Sequence, residues 1–374
     1  MRFSLIYEAQ TVDASRAGDR KVFEEMVEQA ELADKMGFDV LWCVEHTALT
    51  NYAHMSVPET FLAYIAGRTK QIGLGHGVVC LPPAMNHPVK VAERVALLDI
   101  LSKGRVHFGV GKGGTQQESG TFGYDLAELQ PQIDESMYLI PKIMVQDEIE
   151  HNGKYVQIPR RPIHPKPFQK PHPKMYLACT RDETLLTAGS RALGALVLGF
   201  GGPEDIARKN AVYRKAFKER KLEDQVGFRP NEHLAALCPA IVLDDRDKAR
   251  RIGLRGQRFF AEAINYWYQG GAKPSIDDLS AEEHLAQMEA RKSTIGARIG
   301  EDKIPASSSR TLLTSEINDS YGTAQDCINY VQKLFDAGAD EILFLVQMGT
   351  VPHEASMETI RNIGKHVIPH FRKK

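Results

Sequence analysis

The run IGLGHGVVCLPP (72–83), AMNHPVKVAERVALLDILSKGR (84–105), VHFGVGKGG (106–114) decides the fold. It joins an apolar stretch of strand length, an amphipathic helix begun by Pro88, a second short strand and a glycine-rich turn. That is one βαβ unit, whose crossover joins parallel strands by a right-handed connection. In such folds ligands lie beyond the carboxyl ends of the strands, so His76, Gly77, Val78 and Cys80 on one strand and Gly111, Lys112, Gly113 and Gly114 on the next are the first candidates for chemistry. In the helix, the spacing of Val91, Val95, Leu98 and Leu101 predicts a packed stripe, and the glycine cluster lets backbone approach a flat or anionic ligand, although tight turns use the same residues.

Outward from this unit the pattern repeats. Phe3–Tyr7 is a short apolar strand, and Phe23, Met26, Val27, Ala30, Ala33 and Met36 recur at helical spacing up to Gly37. DVLWCVEHT (39–47) is a buried strand that ends in Glu45 and His46, at the place where parallel-barrel enzymes keep catalytic groups; the plainer reading is that His46 caps the strand end. KMYLAC (174–179) ends at Thr180, Arg181 and Asp182, where a helix begins. Backbone N–H groups, the Thr180 hydroxyl and Arg181 there make a phosphate seat, or Thr180 or Asp182 is only an N-cap. ALVLGF (195–200), HLAALCPAIVLDD (233–245) and GADEILFLVQ (338–347) supply the remaining strands. Eight strands with helices between them point to an α/β fold, a (β/α)8 TIM barrel with insertions after strands 4 and 7, in a single domain spanning 1–374.

The first insertion, 115–172, carries one helix near 126–145, a hairpin-like NGKYVQIP and a proline-rich strap PIHPKPFQKPHP. In the second, RGQRFFAEAINYWYQGG (255–271) brings Phe259, Phe260, Tyr266, Trp267 and Tyr268 ahead of a polar stretch. The expectation is a lid within 255–318, with Phe259 and Trp267 facing the mouth, or else an aromatic helix simply packed on the barrel.

Composition excludes several classes. In 374 residues, 47 Lys and Arg balance 48 Asp and Glu, and no long basic run suggests nucleic acid or an anionic membrane. The five cysteines (Cys43, Cys80, Cys179, Cys238, Cys327) never form CxxC and read as buried free thiols of a reducing compartment. No run approaches the ~20 apolar residues of a membrane helix and the N-terminus is too short for a signal-peptide core, so the expectation is a soluble, cytoplasmic protein. The thirteen histidines are scattered and HExxH is absent, so no metal site is expected. There is no Walker motif, and no GxGxxG follows the first strand.

Five ordered segments (GFDVLWCVEHT, GRTKQIGLGHGVVCLP, HPVKVAERVALLDILSKGRVHFGVGKG, NGKYVQIP and YGTAQDCINYVQKLFDAGADEILFLV) together resemble the bacterial luciferase-like flavin-dependent monooxygenases. The resemblance spans nearly the whole chain. It implies reduced FMN supplied by a separate NAD(P)H:flavin reductase, reaction with O2 to a flavin C4a-peroxide, and oxygenation of a small, largely apolar organic substrate. It also implies residue roles. His46 matches the proton-transfer histidine, and Gly77-Val78 match the small pair whose peptide bulges, often in cis form, beneath the isoalloxazine ring. Lys112 matches a basic residue near the phosphate, Cys179-Thr180 the stretch at the phosphate beside Arg181, and Gly199-Phe200 the segment along the ring edge. Glu45, His76, Cys80, Phe259 and Trp267 are expected around the substrate or in the lid. Two departures, Gly111 in place of luciferase's reactive cysteine and Thr47 in place of its second motif histidine, point away from light emission and toward ordinary monooxygenation. A homodimer is expected because family members commonly pair through barrel helices. The alternatives are a deazaflavin-dependent oxidoreductase on the same barrel and a non-catalytic flavin-binding relative.

Overall fold

The computed structural model describes residues 1–113, 115–199, 201–287 and 319–372. Eight parallel strands close a barrel: β1 (Arg2–Tyr7), β2 (Val40–Cys43), β3 (Gly73–Cys80), β4 (Val106–Gly111), β7 (Met175–Cys179), β8 (Gly194–Val197), β9 (Leu234–Pro239) and β12 (Glu341–Leu345). β1 and β12 pair to complete the ring. The outer layer is built from α1 (Arg16–Met36), α2 (Pro58–Arg68), α3 (Pro88–Leu101), α5 (Leu129–Val145), α6 (Asp182–Ser190), α7 (Pro203–Lys218), α8 (Arg246–Gln269), α9 (Ala324–Asp336), α10 (His353–Asn362) and α11 (Ile368–Arg372).

Local chemistry sets the helix ends. The Ser15 side chain accepts from Gly18 N at the start of α1, and Gly37, at φ +80°, closes it in the left-handed conformation that favours glycine. Pro88 opens α3, where its missing N–H costs nothing. The insertion after β4 holds α4 (Gln116–Phe122), α5 and a hairpin of β5 (Glu148–Asn152) with β6 (Gln157–Pro162). The short α4 was not expected from the sequence. The proline-rich strap is tied down through Asp99 of α3, buried, whose carboxylate accepts from Gln169 N and Nε2, both at 2.8 Å.

The seventh strand differs from expectation. It breaks at Ala240, and the following β10 (Ile241–Val242) leaves the barrel to pair in parallel with β11 (Tyr321–Gly322). The final helix begins at His353 and passes through one π-helical turn at Ile363–Val367.

Strand alternation fills the lower interior of the barrel with polar side chains. Glu341 is fully buried and its carboxylate accepts from Ser4 Oγ (2.6 Å), Trp42 Nε1 (2.8 Å) and His233 Nε2 (2.7 Å). Burial alone would raise its pKa, but these partners, His233 foremost, pull it down to about 2. Tyr176 Oη extends the layer, 3.1 Å from His107 Nδ1 and 3.4 Å from Arg2 Nη1. Among the described residues no helix is long and apolar enough to cross a membrane.

Candidate active site

At the opposite end of the barrel, where the strands finish, His46 follows β2. Its Nδ1 lies 3.0 Å from Oε1 of Glu118, a fully buried residue of α4. The other Glu118 oxygen accepts from Thr115 N (3.1 Å) and Thr115 Oγ1 (2.8 Å), because Thr115 and Glu118 form the capping box that starts α4. Burial would raise the Glu118 pKa, but the hydrogen bonds from His46 and Thr115 outweigh it and hold the carboxylate below its ordinary value. An ionised carboxylate only accepts, so the proton of this bond sits on His46 Nδ1. Nε2 is then the nitrogen free to exchange a proton, with no hydrogen-bond partner among the described residues. Burial alone would lower the His46 pKa; the Glu118 bond and the fields of Glu8, Glu118 and Glu45 overcome that and raise it.

Glu8, just past β1, shares this end of the barrel. It is buried, its Oε2 has no hydrogen-bond partner among the described residues, and desolvation lifts its pKa to about 7 against a partly opposing pull from His46. Tyr52 stands over His46 with ring centroids 5.3 Å apart and meets Phe260 (5.7 Å) and Tyr268 (6.4 Å) of α8 edge to face. Trp267 Nε1 donates to Thr50 O at 2.9 Å, fastening the end of α8 across the loop that carries Tyr52. α8 thus roofs the mouth. The start of the polar stretch after it is stapled down: buried Arg258 donates to Ser275 Oγ and Asp277 O, and Glu262 accepts from Ser275 N. The remainder of the expected lid, 288–318, lies outside the described residues, as do Gly114 and Phe200.

The floor is made by glycines. The Gly77–Val78 peptide is cis, and the β3–β4 register shifts between His76 and Val79. Val78 sits over β4: a Cβ on Gly109 would lie 3.1 Å from Val78 Cγ1, and one on Gly111 2.4 Å from Cγ2. Only glycine at 111 leaves room for that valine, and at 109 a Cβ would run into His76 O at 2.2 Å. Gly77 itself turns toward Trp42, whose Cβ would lie 3.2 Å from an added Cβ. Ala178 and Leu198 are partly exposed beside this floor, and Gly199 is buried with Lys209 Nζ as its nearest neighbour. Lys112, Thr180 and Arg181 are exposed together at the N-terminus of α6, where incomplete hydration and the Arg181 charge both lower the Lys112 pKa. Two cations beside a helix N-terminus suit a phosphate, and a glycine floor under a small apolar residue suits a planar ring, so the residues present fit a flavin mononucleotide.

Several expected site residues lie elsewhere. His76 points outward, its ring 6.1 Å from Phe108 and under the influence of Arg94 on α3, and burial lowers its pKa to about 4. Cys179 also faces outward, its thiol donating to Thr184 O at 3.4 Å. The Glu45 carboxylate accepts from Cys80 N (2.6 Å) and Asn86 Nδ2 (2.9 Å), and Cys80 Sγ donates to Glu45 O. This pair locks two strand ends together behind the site. Phe259 is buried, packed where any Cβ on Gly349 would meet its ring at 2.2 Å, so the helix presents Phe260 to the mouth instead. The sequence reading missed Glu8, Thr115, Glu118 and Tyr52. The TQQE capping-box pattern at 115–118 and the position of Glu8 at a strand end were the available signals.

Comparison with known proteins agrees with this architecture. The family model of luciferase-like monooxygenases matches residues 1–341. The oxygenase component of a flavin-dependent trigonelline monooxygenase from Acinetobacter baylyi is 25% identical over 380 residues, covering 99% of this chain and 96% of the relative. Among solved structures, the oxygenating constituent of 3,6-diketocamphane monooxygenase from Pseudomonas putida, in complex with FMN, superposes with TM-score 0.73 at 21% identity, covering 99% of this chain and 98% of that one. The coenzyme F420-dependent tetrahydromethanopterin reductase from Methanopyrus kandleri gives 0.68 at 20% identity, with 99% of each chain covered. Matched over nine-tenths of its length by one family, and carrying that family's closed parallel barrel, the chain belongs to the luciferase-like monooxygenases, a family of flavin-dependent oxidoreductases.

Proposed function

We propose that this chain is the oxygenase of a two-component system, using FMNH2 from a separate NAD(P)H:flavin reductase and O2 to oxygenate a small, largely apolar organic substrate. The observation that carries the reading is His46: an imidazole clamped at Nδ1 by an ionised, buried carboxylate and open at Nε2, in a chamber roofed by Tyr52, Phe260 and Tyr268. The named relative from Acinetobacter baylyi, itself an oxygenase component, supports the two-component arrangement.

Bound reduced FMN would supply the electrons that activate dioxygen. Lys112, Thr180 and Arg181 would hold its phosphate, and Val78, Ala178 and Leu198 would flank its ring. His46 Nε2 gives or takes the proton that an oxygen in the chamber requires, its pKa raised because the Glu118 bond and the nearby carboxylates outweigh burial. The aromatic roof excludes the water that would divert reducing power to hydrogen peroxide.

Oxygen uptake against peroxide release, measured with FMN, a flavin reductase, NADH and a panel of ketones, amines, sulfonates and phenols, tests this. A substrate that raises oxygen use while lowering peroxide release establishes oxygenation; failure of reduced FMN to bind overturns it. A reduced deazaflavin, tried in parallel, must bind more weakly than FMNH2. We infer also a homodimer paired through α2 and α3, where Tyr64, Leu97 and Leu101 lie exposed; sedimentation at low concentration that finds only monomer would contradict it.

A further inference from the structure

We propose that Glu8 is the second proton-holding group of this site, a neutral acid that faces His46 from the end of β1, sets the charge on the imidazole and replaces the proton it gives up. This rests on the role of His46 in the proposed oxygenation, but its central claim concerns groups of the protein alone.

The geometry is asymmetric. Glu118 bonds one nitrogen of the imidazole, and Glu8 sits at the adjoining strand end, where Met55 N donates to Glu8 O (3.3 Å) and Met55 O accepts from His46 N (3.0 Å). Glu118 spends its oxygens on His46 Nδ1, Thr115 N and Thr115 Oγ1. Glu8 is more than nine-tenths buried and its Oε2 has no partner among the described residues. A buried carboxylate with an oxygen that lacks a donor is costly, whereas the protonated acid is less so and carries an O–H ready to give. Among the described residues, the ionisable groups around it are His46 after β2, Tyr52 in the loop before α2, Tyr268 on α8 and, behind His46, Glu118 of α4 and Glu45, and the β12 side brings the neutral amide of Gln347, engaged with Gln10. Among these, His46 is the group that can carry a positive charge. An acid tuned to about 7 beside an imidazole raised above its usual value matches the two groups closely enough to trade a proton. In the step itself, His46 Nε2–H breaks as an O–H bond forms on the oxygen in the chamber. Glu8 O–H then breaks as Nε2–H re-forms, and the Glu8 carboxylate recovers its proton from water.

Nitrogen-15 spectra of labelled histidine, followed from pH 5 to 10 in the flavin-free protein, test the coupling with neither cofactor nor substrate. In the unmodified protein the His46 titration should be stretched over two steps, and in Glu8→Gln it should collapse to one step with a midpoint lower by roughly half a unit or more. Superimposable curves would overturn the proposal. Should the amide variant fail to fold, carbon-13 spectra of glutamate-labelled unmodified protein decide instead: one side-chain carboxyl must titrate near neutrality and be moved by Glu8→Asp. If the only such resonance belongs to Glu45, removable by Glu45→Gln, Glu8 is an ordinary carboxylate and the idea fails. A third arm measures peroxide released per oxygen consumed across the same pH range with FMN and reductase. Loss of the alkaline limb in Glu8→Gln, with recovery in Glu8→Asp, supports the relay; unchanged profiles alongside altered histidine titrations remove the relay while leaving the flavin reading intact.

Discussion

Two glutamates are buried inside one barrel near its opposite ends, and their surroundings push them in opposite directions. Glu341, at the start of β12, accepts three short hydrogen bonds and has its pKa pulled down to about 2. Glu8, just beyond β1, has an oxygen with no partner among the described residues and a pKa pushed up to about 7. Burial is common to both, so the difference is made by partners, above all the His233 imidazole at Glu341; Glu45, whose donors Cys80 N and Asn86 Nδ2 bring no such charge, is also lifted to about 7. A buried carboxylate whose donors are supplied is architecture, fastening β1, β2, β9 and β12 into one layer. A buried carboxylate without them stores a proton, and such groups gather where chemistry is done.

The largest effect expected of this contrast is on stability. Glu341→Ala strands the charged or donating groups of Ser4, Trp42, His233 and Arg2 in the barrel interior, and should cost about 3–5 kcal/mol in a denaturant titration. The pH dependence follows with its own sign. Because the folded pKa of Glu341 is depressed, its contribution is present above the ordinary carboxylate value and fades as pH falls from about 4.5 toward about 2. Acid unfolding of the unmodified protein that showed no protonation in that range would break the comparison at its structural end.

At the chemical end, His46→Ala should lower substrate turnover by roughly 10²-fold or more while the protein still folds and binds FMN. Glu118→Gln keeps the shape of the clamp but removes the ionised acceptor, so it should lower the His46 pKa and shift the pH–rate profile to the acid side. A His46→Ala protein of normal product yield would reduce the histidine to a strand cap.

Glu8 reverses the acid argument. Its folded pKa is raised, so its contribution is fully present below the ordinary carboxylate value and is lost as pH rises toward about 7. Glu8→Gln, which has no charge to desolvate, should therefore gain on the unmodified protein by about 1–2 kcal/mol between pH 4.5 and 8. Denaturation midpoints compared at those two values measure this, and equal differences at both would return Glu8 to the class of Glu341.

How much of this the sequence disclosed depends on the range of the interaction. The barrel was legible because each βα unit announces itself within about thirty residues: apolar strand, glycine or proline punctuation, periodic helix. The position of His46 was legible because a place at a strand end is a local property. Glu118 was not, since its partner lies 72 positions away and its own TQQE motif already had a sufficient explanation as a cap. His76 and Cys179 were misassigned for the opposite reason. On a strand, neighbours face opposite sides, so a correct segment can still yield the wrong residue, and in β3 the register also shifts after His76. The Glu341 layer escaped because its members come from five separate strands and from His233 just before β9, and only closure of the barrel brings them together.

The smallest expected effect lies at the rim, where charge is neither satisfied nor stored but left open to solvent. Lys112 and Arg181 are both exposed, and each lies close enough to bear on the other: the Lys112 pKa is lowered in part by Arg181. Like charges held together in water repel, and an anion between them relieves that repulsion, here helped by the N-terminus of α6. Solvent screens such contacts, so each is worth about 0.3–1 kcal/mol, a two- to fivefold change in affinity at most. Lys112→Ala should therefore weaken FMN about two- to fivefold at low salt, with the difference shrinking above ~0.15 M as the Debye length falls below the separation of charges. Riboflavin, which has the ring but no phosphate, should bind the variant and the unmodified protein alike. If riboflavin is weakened as much as FMN, the two cations do not face the phosphate, and the ring must enter the mouth in some other orientation.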